Sequence, residues 1–300
     1  MKSINPYILL CISIFVTLLY GLLRNLYSKK YMKSQADLYW LNTVATGYTI
    51  VVVFALSGGI TIPSLYTAGL GLLYGVATLG CTILNLLALT CGPFSYTSVI
   101  LSSSMLLPAL SGAIFWKEPV SIWQYVGVVL IIVSLVLSVD SQKGDKQASF
   151  KWLFCCLGAF LFAGAIGILQ KVHQSSTYKE EINSFLLIAF LMSAVFSIVL
   201  YLINRKKAVD IENEPGMKST KVAFVMISSV TGICVALANM FNMYLSGVIP
   251  SVFFFPVVNG ANVILSAFVG VVLFKERMSK KQWCGMIVGI VAILLLCNIF

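Results

Sequence analysis

The sequence WKEPVSIWQYVG, residues 116–127, returns in modified form as FKERMSKKQWCG, residues 274–285. Five of these twelve positions are identical at a constant shift of 158: Lys117/Lys275, Glu118/Glu276, Ser121/Ser279, Gln124/Gln282 and Gly127/Gly285. A second match lies upstream, where Asn85 stands eight residues before one proline and Asn242 stands eight residues before another. Two matches at nearly the same shift predict that the chain is built from two duplicated halves.

The composition around this repeat is that of a membrane protein. Of the 300 residues, 59% are apolar and only 10% are charged, and the mean hydropathy is +0.97. An ordinary soluble domain carries about a quarter charged residues, so this chain lacks the polar side chains to cover its surface in water. A helix needs about 20 residues to cross the hydrocarbon core. The sequence contains ten apolar runs of that kind, named spans 1 to 10: 6–23, 38–57, 64–91, 94–116, 120–139, 150–171, 183–204, 221–246, 250–274 and 280–299.

Ten spans in two halves give five spans per half. The sequence therefore predicts an all-α integral membrane protein of ten transmembrane helices arranged as two inverted five-helix repeats. Residues 1–140 form the first repeat, 141–149 the linker and 150–300 the second repeat. An odd number of spans makes the second copy enter the membrane in the opposite sense, as in many secondary transporters. The substrate site is then expected near the midplane, where the halves meet.

The Lys-Glu pair, followed in each half by a short polar link and an apolar helix that starts at a QxxG sequence, resembles the EamA-type ten-helix branch of the drug/metabolite transporter superfamily. The resemblance covers the whole chain. It implies a transporter of amino acids, other metabolites, quaternary amines or nucleotide-linked sugars. Related four-helix exporters use a membrane-embedded glutamate in their first helix. Span 1 contains no glutamate, so that proton-coupling mechanism does not carry over.

The charged residues are placed as in a multi-pass protein of the cell membrane. All ten Asp and Glu residues lie outside the middle of the spans, which leaves no mid-membrane acid for simple proton coupling. The net charge of +10 comes from short clusters between apolar runs, which indicates contact with the lipid bilayer rather than with nucleic acid. Sixteen of the 20 Lys and Arg residues follow odd-numbered spans. The positive-inside rule then places both termini outside, whereas the resemblance implies that both lie inside.

Nothing in the sequence predicts a metal, a cofactor or catalysis. The eight cysteines form no CxxC pair, and the single histidine, His173, is expected in a solvated loop after span 6. An intramembrane enzyme needs converging His, Asp, Glu or Cys side chains, and only scattered cysteines lie within the spans. The sequence has no GxxxxGK[ST] motif for nucleotide binding. We therefore do not expect an enzyme or an ATP-driven pump.

Span 9 carries the clearest candidate substrate site. Pro250 and Pro256 bracket three phenylalanines at 253–255, and Asn259 and Asn262 follow three residues apart. Residues at i and i+3 share a helix face, and a membrane helix tolerates an internal proline only where its freed backbone groups find new partners. The two amides either line a polar cavity beneath the aromatic residues or bond neighbouring helices as structural contacts.

Span 4 is the counterpart of span 9. The shift of 158 places Ser104 opposite Asn262 and Ser103 beside it, and Pro108 is expected to interrupt the helix. Interrupted helices at corresponding positions of two halves are typical of a transport site. For any single serine, helix packing is the alternative.

Further substrate-binding candidates lie in spans 2, 3 and 8: Tyr48, Tyr74, Asn85, Asn239 and Asn242. A tyrosine near the midplane needs a partner for its hydroxyl group. The expected cavity has amide, hydroxyl and aromatic character and no fixed charge.

These residues favour a secondary transporter that moves a small organic molecule by alternating access. The substrate is a neutral or zwitterionic solute such as an amino acid, or an organic cation. The alternative is a lipid-carrier flippase or a flippase subunit. Glu118 and Glu276 are expected to bond neighbouring helix ends rather than substrate. The small-residue motif Gly285-x-x-x-Gly289 in span 10 indicates close helix packing and a homodimer contact.

Overall fold

The computed structural model describes residues 5–30, 35–57, 62–91, 94–138, 149–204, 217–274 and 279–297. In these ranges the regular structure is helical, because a backbone in hydrocarbon must satisfy its own hydrogen-bonding groups. The helices are α1 (Pro6–Lys30), α2 (Gln35–Leu56), α3 (Leu65–Cys91), α4 (Phe94–Ser102), α5 (Leu106–Phe115), α6 (Ile122–Ser138), α7 (Phe150–Gln174), α8 (Ile182–Asn204), α9 (Met217–Val248), α10 (Ser251–Phe274) and α11 (Lys280–Leu296).

Each of the ten predicted spans coincides with helix, and span 4 is divided between α4 and α5. Within the described part of the chain, six helices are long and apolar enough to cross a membrane: Pro6–Leu23, Tyr39–Leu56, Leu65–Asn85, Phe150–Gln174, Ile182–Ile203 and Val222–Val248. Three shorter apolar helices cover Val99–Phe115, Ile122–Leu137 and Ser251–Ser266. The chain is an all-α, multi-pass membrane protein.

The division of span 4 confirms the predicted interruption at Pro108. A 3₁₀ turn over Ser103–Met105 separates α4 from α5. Pro108 has no N–H to donate to the carbonyl group of Ser104, four residues earlier, and its ring crowds that carbonyl. The helix therefore tightens into a 3₁₀ turn just before the proline.

The chain forms two compact units, and each unit draws on both halves of the sequence. Unit 1 comprises Met1–Pro6, Ala77–Ser176 and Tyr244–Phe300, and unit 2 comprises Tyr7–Val76 and Thr177–Met243. The division into repeats at 1–140 and 150–300 concerns the ancestry of the sequence, and it stays a prediction. The linker at 141–149 lies outside the described residues except for Ser149.

In unit 1, α6 and α11 pack antiparallel. Gly127, early in α6, lies against the carbonyl of Ala292 and the side chain of Leu296, late in α11. Ser134, later in α6, donates a hydrogen bond of 2.7 Å to the carbonyl of Gly285, early in α11. The small-residue face of α11 thus packs inside its own unit, and the homodimer contact through span 10 stays a prediction.

Both α6 and α11 begin with the same capping device. Ser279 Oγ accepts the Gln282 N–H at 3.3 Å, and Gln282 Oε1 accepts the Ser279 N–H at 2.8 Å. Ser121 and Gln124 make the same reciprocal pair at 3.2 and 3.1 Å. Each capping box satisfies two backbone donors that a helix start leaves unpaired. Four of the ten matching repeat residues therefore serve to start helices.

Unit 2 is held together by polar contacts between helices. Thr49 of α2 donates to the carbonyl of Gly232 in α9 at 3.0 Å. Ser64 lies directly before α3, and Glu181 lies just before α8. Glu181 Oε2 accepts hydrogen bonds from the Ser64 N–H at 3.0 Å and from the Ser64 hydroxyl at 2.8 Å. A carboxylate at this position satisfies donors at the positive end of the α3 dipole.

Candidate functional site

Unit 1 contains a cavity of about 370 Å³ where the 3₁₀ turn lies beside α10 and α6. This volume is in the range of small-molecule binding sites in proteins. Polar groups come from α4 and α10, and apolar groups come from the 3₁₀ turn, α6 and α10. The lining residues are Ser102, Met105, Leu135, Asn259, Asn262, Val263 and Ser266. None of them is ionisable.

Helices α5 and α10 both approach α7 closely at Gly167. Gly167 of α7 faces both α5 and α10, and a Cβ atom there would lie 2.8 Å from Pro108 and 2.9 Å from the Phe255 ring. A larger residue would push the helices apart, because real Cβ atoms essentially never come this close to other atoms. The glycine therefore keeps α5 and α10 against the same face of α7.

The two amides of α10 bond to their own helix. Asn259 Nδ2 donates to the carbonyl of Phe255 at 2.8 Å, and Asn262 Nδ2 donates to the carbonyl of Val258 at 2.7 Å. Asn262 Oδ1 is buried and has no hydrogen-bond partner among the described residues. The structure thus brings the two predicted amides to one cavity, and no described contact makes them bridges to a neighbouring helix.

The other candidates in unit 1 lie outside this lining. Ser103 Oγ donates to the carbonyl of Val99 at 2.8 Å, which uses the hydroxyl within the helix. Ser104 and Asn85 are half-buried. The three phenylalanines at 253–255 are buried in the packing of α10 and do not line the cavity. Ser102 and Ser266 line it instead, and Ser266 lies at the position that the shift of 158 pairs with Pro108.

The remaining candidates lie in unit 2 and make helix-to-helix hydrogen bonds. Tyr74 OH donates to Asn239 Oδ1 at 3.1 Å, so this tyrosine in the first half of α3 has a partner for its hydroxyl group. Ser13 Oγ donates to Asn242 Oδ1 at 2.6 Å. Tyr48 is half-buried, with its Cβ beside Gly232. Asn239 and Asn242 thus bond neighbouring helices, and their predicted contact with substrate stays a prediction.

A buried charged cluster in unit 1 centres on Glu118. Its Oε2 accepts the backbone N–H of Ser251, the first residue of α10, at 2.6 Å, and its Oε1 lies 2.6 Å from Lys171 Nζ. The prediction that Glu118 bonds a neighbouring helix end is confirmed; Glu276 lies outside the described residues. Lys117 has a φ of 50° where the chain leaves α5, and this left-handed residue turns Glu118 back toward α10.

The end of α7 corrects the prediction for His173. The sequence suggested a solvated loop after span 6, but α7 continues to Gln174 and His173 is fully buried. The Gln174 amide nitrogen lies 3.2 Å from His173 Nδ1. Lys171, the last residue of span 6, is also buried. The missed signal is the spacing of Gln170, Lys171 and Gln174, whose i+3 and i+4 separations continue one helix face.

Comparison with known proteins finds a family match for the second half of the chain. The model of the EamA-like transporter family matches residues 150–298. An uncharacterized protein of Haemophilus influenzae is 26% identical over 197 residues, which cover 63% of this chain and 62% of that protein. The chain thus spans less than two thirds of this curated relative.

A protein of known crystal structure shares the fold. The match has a TM-score of 0.72 at 16% sequence identity and covers 97% of this chain and 99% of the other. At this identity the match supports the fold alone. The family match covers only residues 150–298. The structural match extends the shared fold to the first half of the chain as well. The second half of the chain, residues 150–298, matches the EamA-like transporter family, and the fold of the whole chain is that of a solved structure.

Proposed function

We propose that this membrane transporter of the drug/metabolite type is a secondary transporter that carries one small organic molecule through the cavity beside α10. The observation that carries the proposal is the composition of that cavity. It combines two serine hydroxyls, two asparagine amides and three apolar side chains, without an ionisable group. Such a lining binds a neutral or zwitterionic solute such as an amino acid, or an organic cation, and it offers no counter-ion to a multiply charged one.

The position of the cavity supports alternating access. It lies where the 3₁₀ turn and the segment after Pro256 face each other, and these segments come from span 4 and span 9 of the proposed repeats. Span 4 is interrupted at the 3₁₀ turn, whereas α10 continues through Pro256. Inverted-repeat transporters place their substrates beside interrupted helices. The antiparallel pair of α6 and α11, the last helix of each half, and their shared capping boxes support an inverted ten-helix repeat. We place the protein in the cell membrane.

Purified protein reconstituted into liposomes tests the proposal. We expect counterflow of a labelled amino acid or organic cation, with rates that saturate with solute concentration. Asn262→Leu is expected to abolish this transport, because the substitution removes the amide from the cavity wall. The variant should still fold, since within the described part of the chain Asn262 makes its hydrogen bond to its own helix.

Asn183→Leu is the matched control, because Asn183 lies in α8 of unit 2 and is not part of the cavity lining. It should transport at the wild-type rate. Unchanged transport by Asn262→Leu would reject this cavity as the substrate site. If the reconstituted protein moves fluorescent lipid between the leaflets but shows no solute counterflow, the result would favour the alternative function as a lipid-carrier flippase.

A further inference from the structure

A buried ion pair ties the start of α10 to two other segments of unit 1. The Glu118 carboxylate, from the turn between α5 and α6, lies 2.6 Å from Lys171 Nζ in the last turn of α7. The same carboxylate accepts the Ser251 N–H at 2.6 Å and the Ser251 hydroxyl at 3.3 Å. Separation of α10 from α7 at this end would therefore have to break the ion pair or the contacts of Glu118 with Ser251.

Glycine backbones make the packing around the ion pair equally close. A Cβ atom on Gly112 of α5 would press on the Glu118 carboxylate and lie 2.5 Å from Ser251 Cβ. A Cβ atom on Gly247, near the end of α9, would lie 2.9 Å from Gln174 Cβ in α7. The connection from α9 to α10 is therefore packed against α7 and against the end of α5.

The ion pair lies at the closed end of α10. All eight residues from Ser251 to Val258 are buried, whereas Asn259, the next residue, is exposed and lines the cavity. Eight residues of α-helix span about 12 Å. Two turns of α10 therefore lie between the ion pair and the cavity, and these turns are closed to water in this structure.

The chemistry of an ion pair suits a contact that has to open and close. A buried pair adds little net stability, because both charges give up their hydration when they are buried. When the contact opens, water hydrates both charges again, whereas an opened apolar contact leaves its surface in water at a cost that grows with its area. Both charges must be present, since one charge buried alone strongly destabilises the closed state.

We propose that Glu118 and Lys171 form a lock, which holds the start of α10 against α7 in this state and opens when the cavity becomes accessible from that end of α10. The inference rests on the proposed function, because alternating access requires a closed side that opens. Both residues then act on the change between states as well as on the stability of the fold. When the lock opens, water reaches the turns from Ser251 to Val258.

The rate at which a buried thiol reacts measures this opening in the purified full-length protein. Val257→Cys places a thiol in the turns between the lock and the cavity, where 5% of Val257 is exposed. Iodoacetamide, a small uncharged reagent, alkylates a thiol that water can reach, and mass spectrometry of the α10 peptide separates this thiol from the eight native cysteines. Val53→Cys is the matched control, because Val53 is fully buried in α2 of unit 2.

Loss of either charge should open the lock. With Glu118→Gln the thiol of Val257→Cys should react about tenfold faster or more, because the lysine charge is left unpaired in the closed state. Lys171→Met should give a smaller rise, since the carboxylate keeps its bonds to Ser251, and this variant serves if the glutamine variant fails to fold. The two variants change the local charge in opposite directions, so a rise in both excludes a direct effect of charge on the thiol. The double variant should react at the wild-type rate, since it buries no unpaired charge and its opening exposes the apolar methionine to water.

Three outcomes overturn the lock. If neither single variant speeds the reaction at Val257→Cys, the pair does not hold α10 closed. An equal rise at Val53→Cys shows a general loosening of the fold, and a double variant as fast as the single variants shows that charge pairing is not the cause. Counterflow tests the proposed function separately, because the thiol reaction needs no solute. Counterflow with unchanged thiol reaction overturns the lock alone, and the expected reaction rates without counterflow of any solute overturn the proposed function.

Discussion

Loss of the charge on Glu118 should destabilise the protein strongly. Its carboxylate lies 2.6 Å from Lys171 Nζ, with 8% of the lysine and 12% of the glutamate side chain exposed, and it also accepts the Ser251 N–H at 2.6 Å. Glu118→Gln leaves the lysine charge buried without its counter-ion. Removal of one partner from a buried pair costs about 3–5 kcal/mol, and we expect that loss in the free energy of unfolding.

The converse substitution should cost less. In Lys171→Met the carboxylate keeps the Ser251 N–H and the positive end of the α10 dipole, which favours a negative charge. We therefore expect a loss of about 1–3 kcal/mol. The double variant should lose less than the sum of the two single losses, because contacting residues couple by about 0.5–3 kcal/mol.

Equilibrium unfolding of purified protein in mixed micelles measures these differences. Lys151→Met is the matched control, since Lys151 lies exposed in the first turn of α7, and it should change stability by less than about 0.5 kcal/mol. Additive losses in the double variant, or a Glu118→Gln loss as small as that of the control, would refute the assigned role of the ion pair.

Three further predictions concern packing, pH and orientation. Gly167→Ala should cost about 1–3 kcal/mol of unfolding free energy, because its Cβ would press on Pro108 at 2.8 Å. Gly47→Ala is the control, because a Cβ atom there would have nothing within 4 Å, and it should be neutral or stabilising by up to about 1 kcal/mol. If thermal melts show equal losses of stability for the two alanine variants, the packing argument is contradicted. Binding affinity for a quaternary probe should change little between about pH 5.5 and 8, since the named lining residues do not titrate; a steep change would implicate a group such as His173. A reporter active only in the cytoplasm should be silent at Phe300 if both termini lie outside, and strong activity there would overturn the orientation.

The features that the sequence predicted correctly depend on local pattern. Apolar runs of about 20 residues locate the helices, because hydrocarbon accepts few other backbone structures. Pro108 predicts its own interruption, since it lacks the N–H that an α-helix needs. The pair Asn259 and Asn262 shares one face because three residues make nearly one turn.

The features that it missed depend on partners far away in the chain. A lysine at the end of an apolar run is typical of a membrane flank, so nothing near Lys171 indicated that Glu118 would reach it from 53 positions away. The choice of Ser102 over Ser103 and Ser104 as the lining residue depends on the phase of the helix at the 3₁₀ turn. The repeat shift of 158 shows which residues correspond, but it does not show in which direction around the helix axis each side chain points.

The 3₁₀ turn between α4 and α5 changes the direction in which every later side chain of span 4 points. A 3₁₀ residue advances 120° around the axis and an α-helical residue 100°, so the three residues of the turn rotate α5 by about 60° relative to an uninterrupted helix. They also lengthen the span by about 1.5 Å, since each residue rises about 2.0 Å instead of 1.5 Å. A helical wheel drawn across residues 94–115 as one helix therefore assigns the wrong face to α5, and substitutions there should be chosen from a wheel that restarts at Leu106.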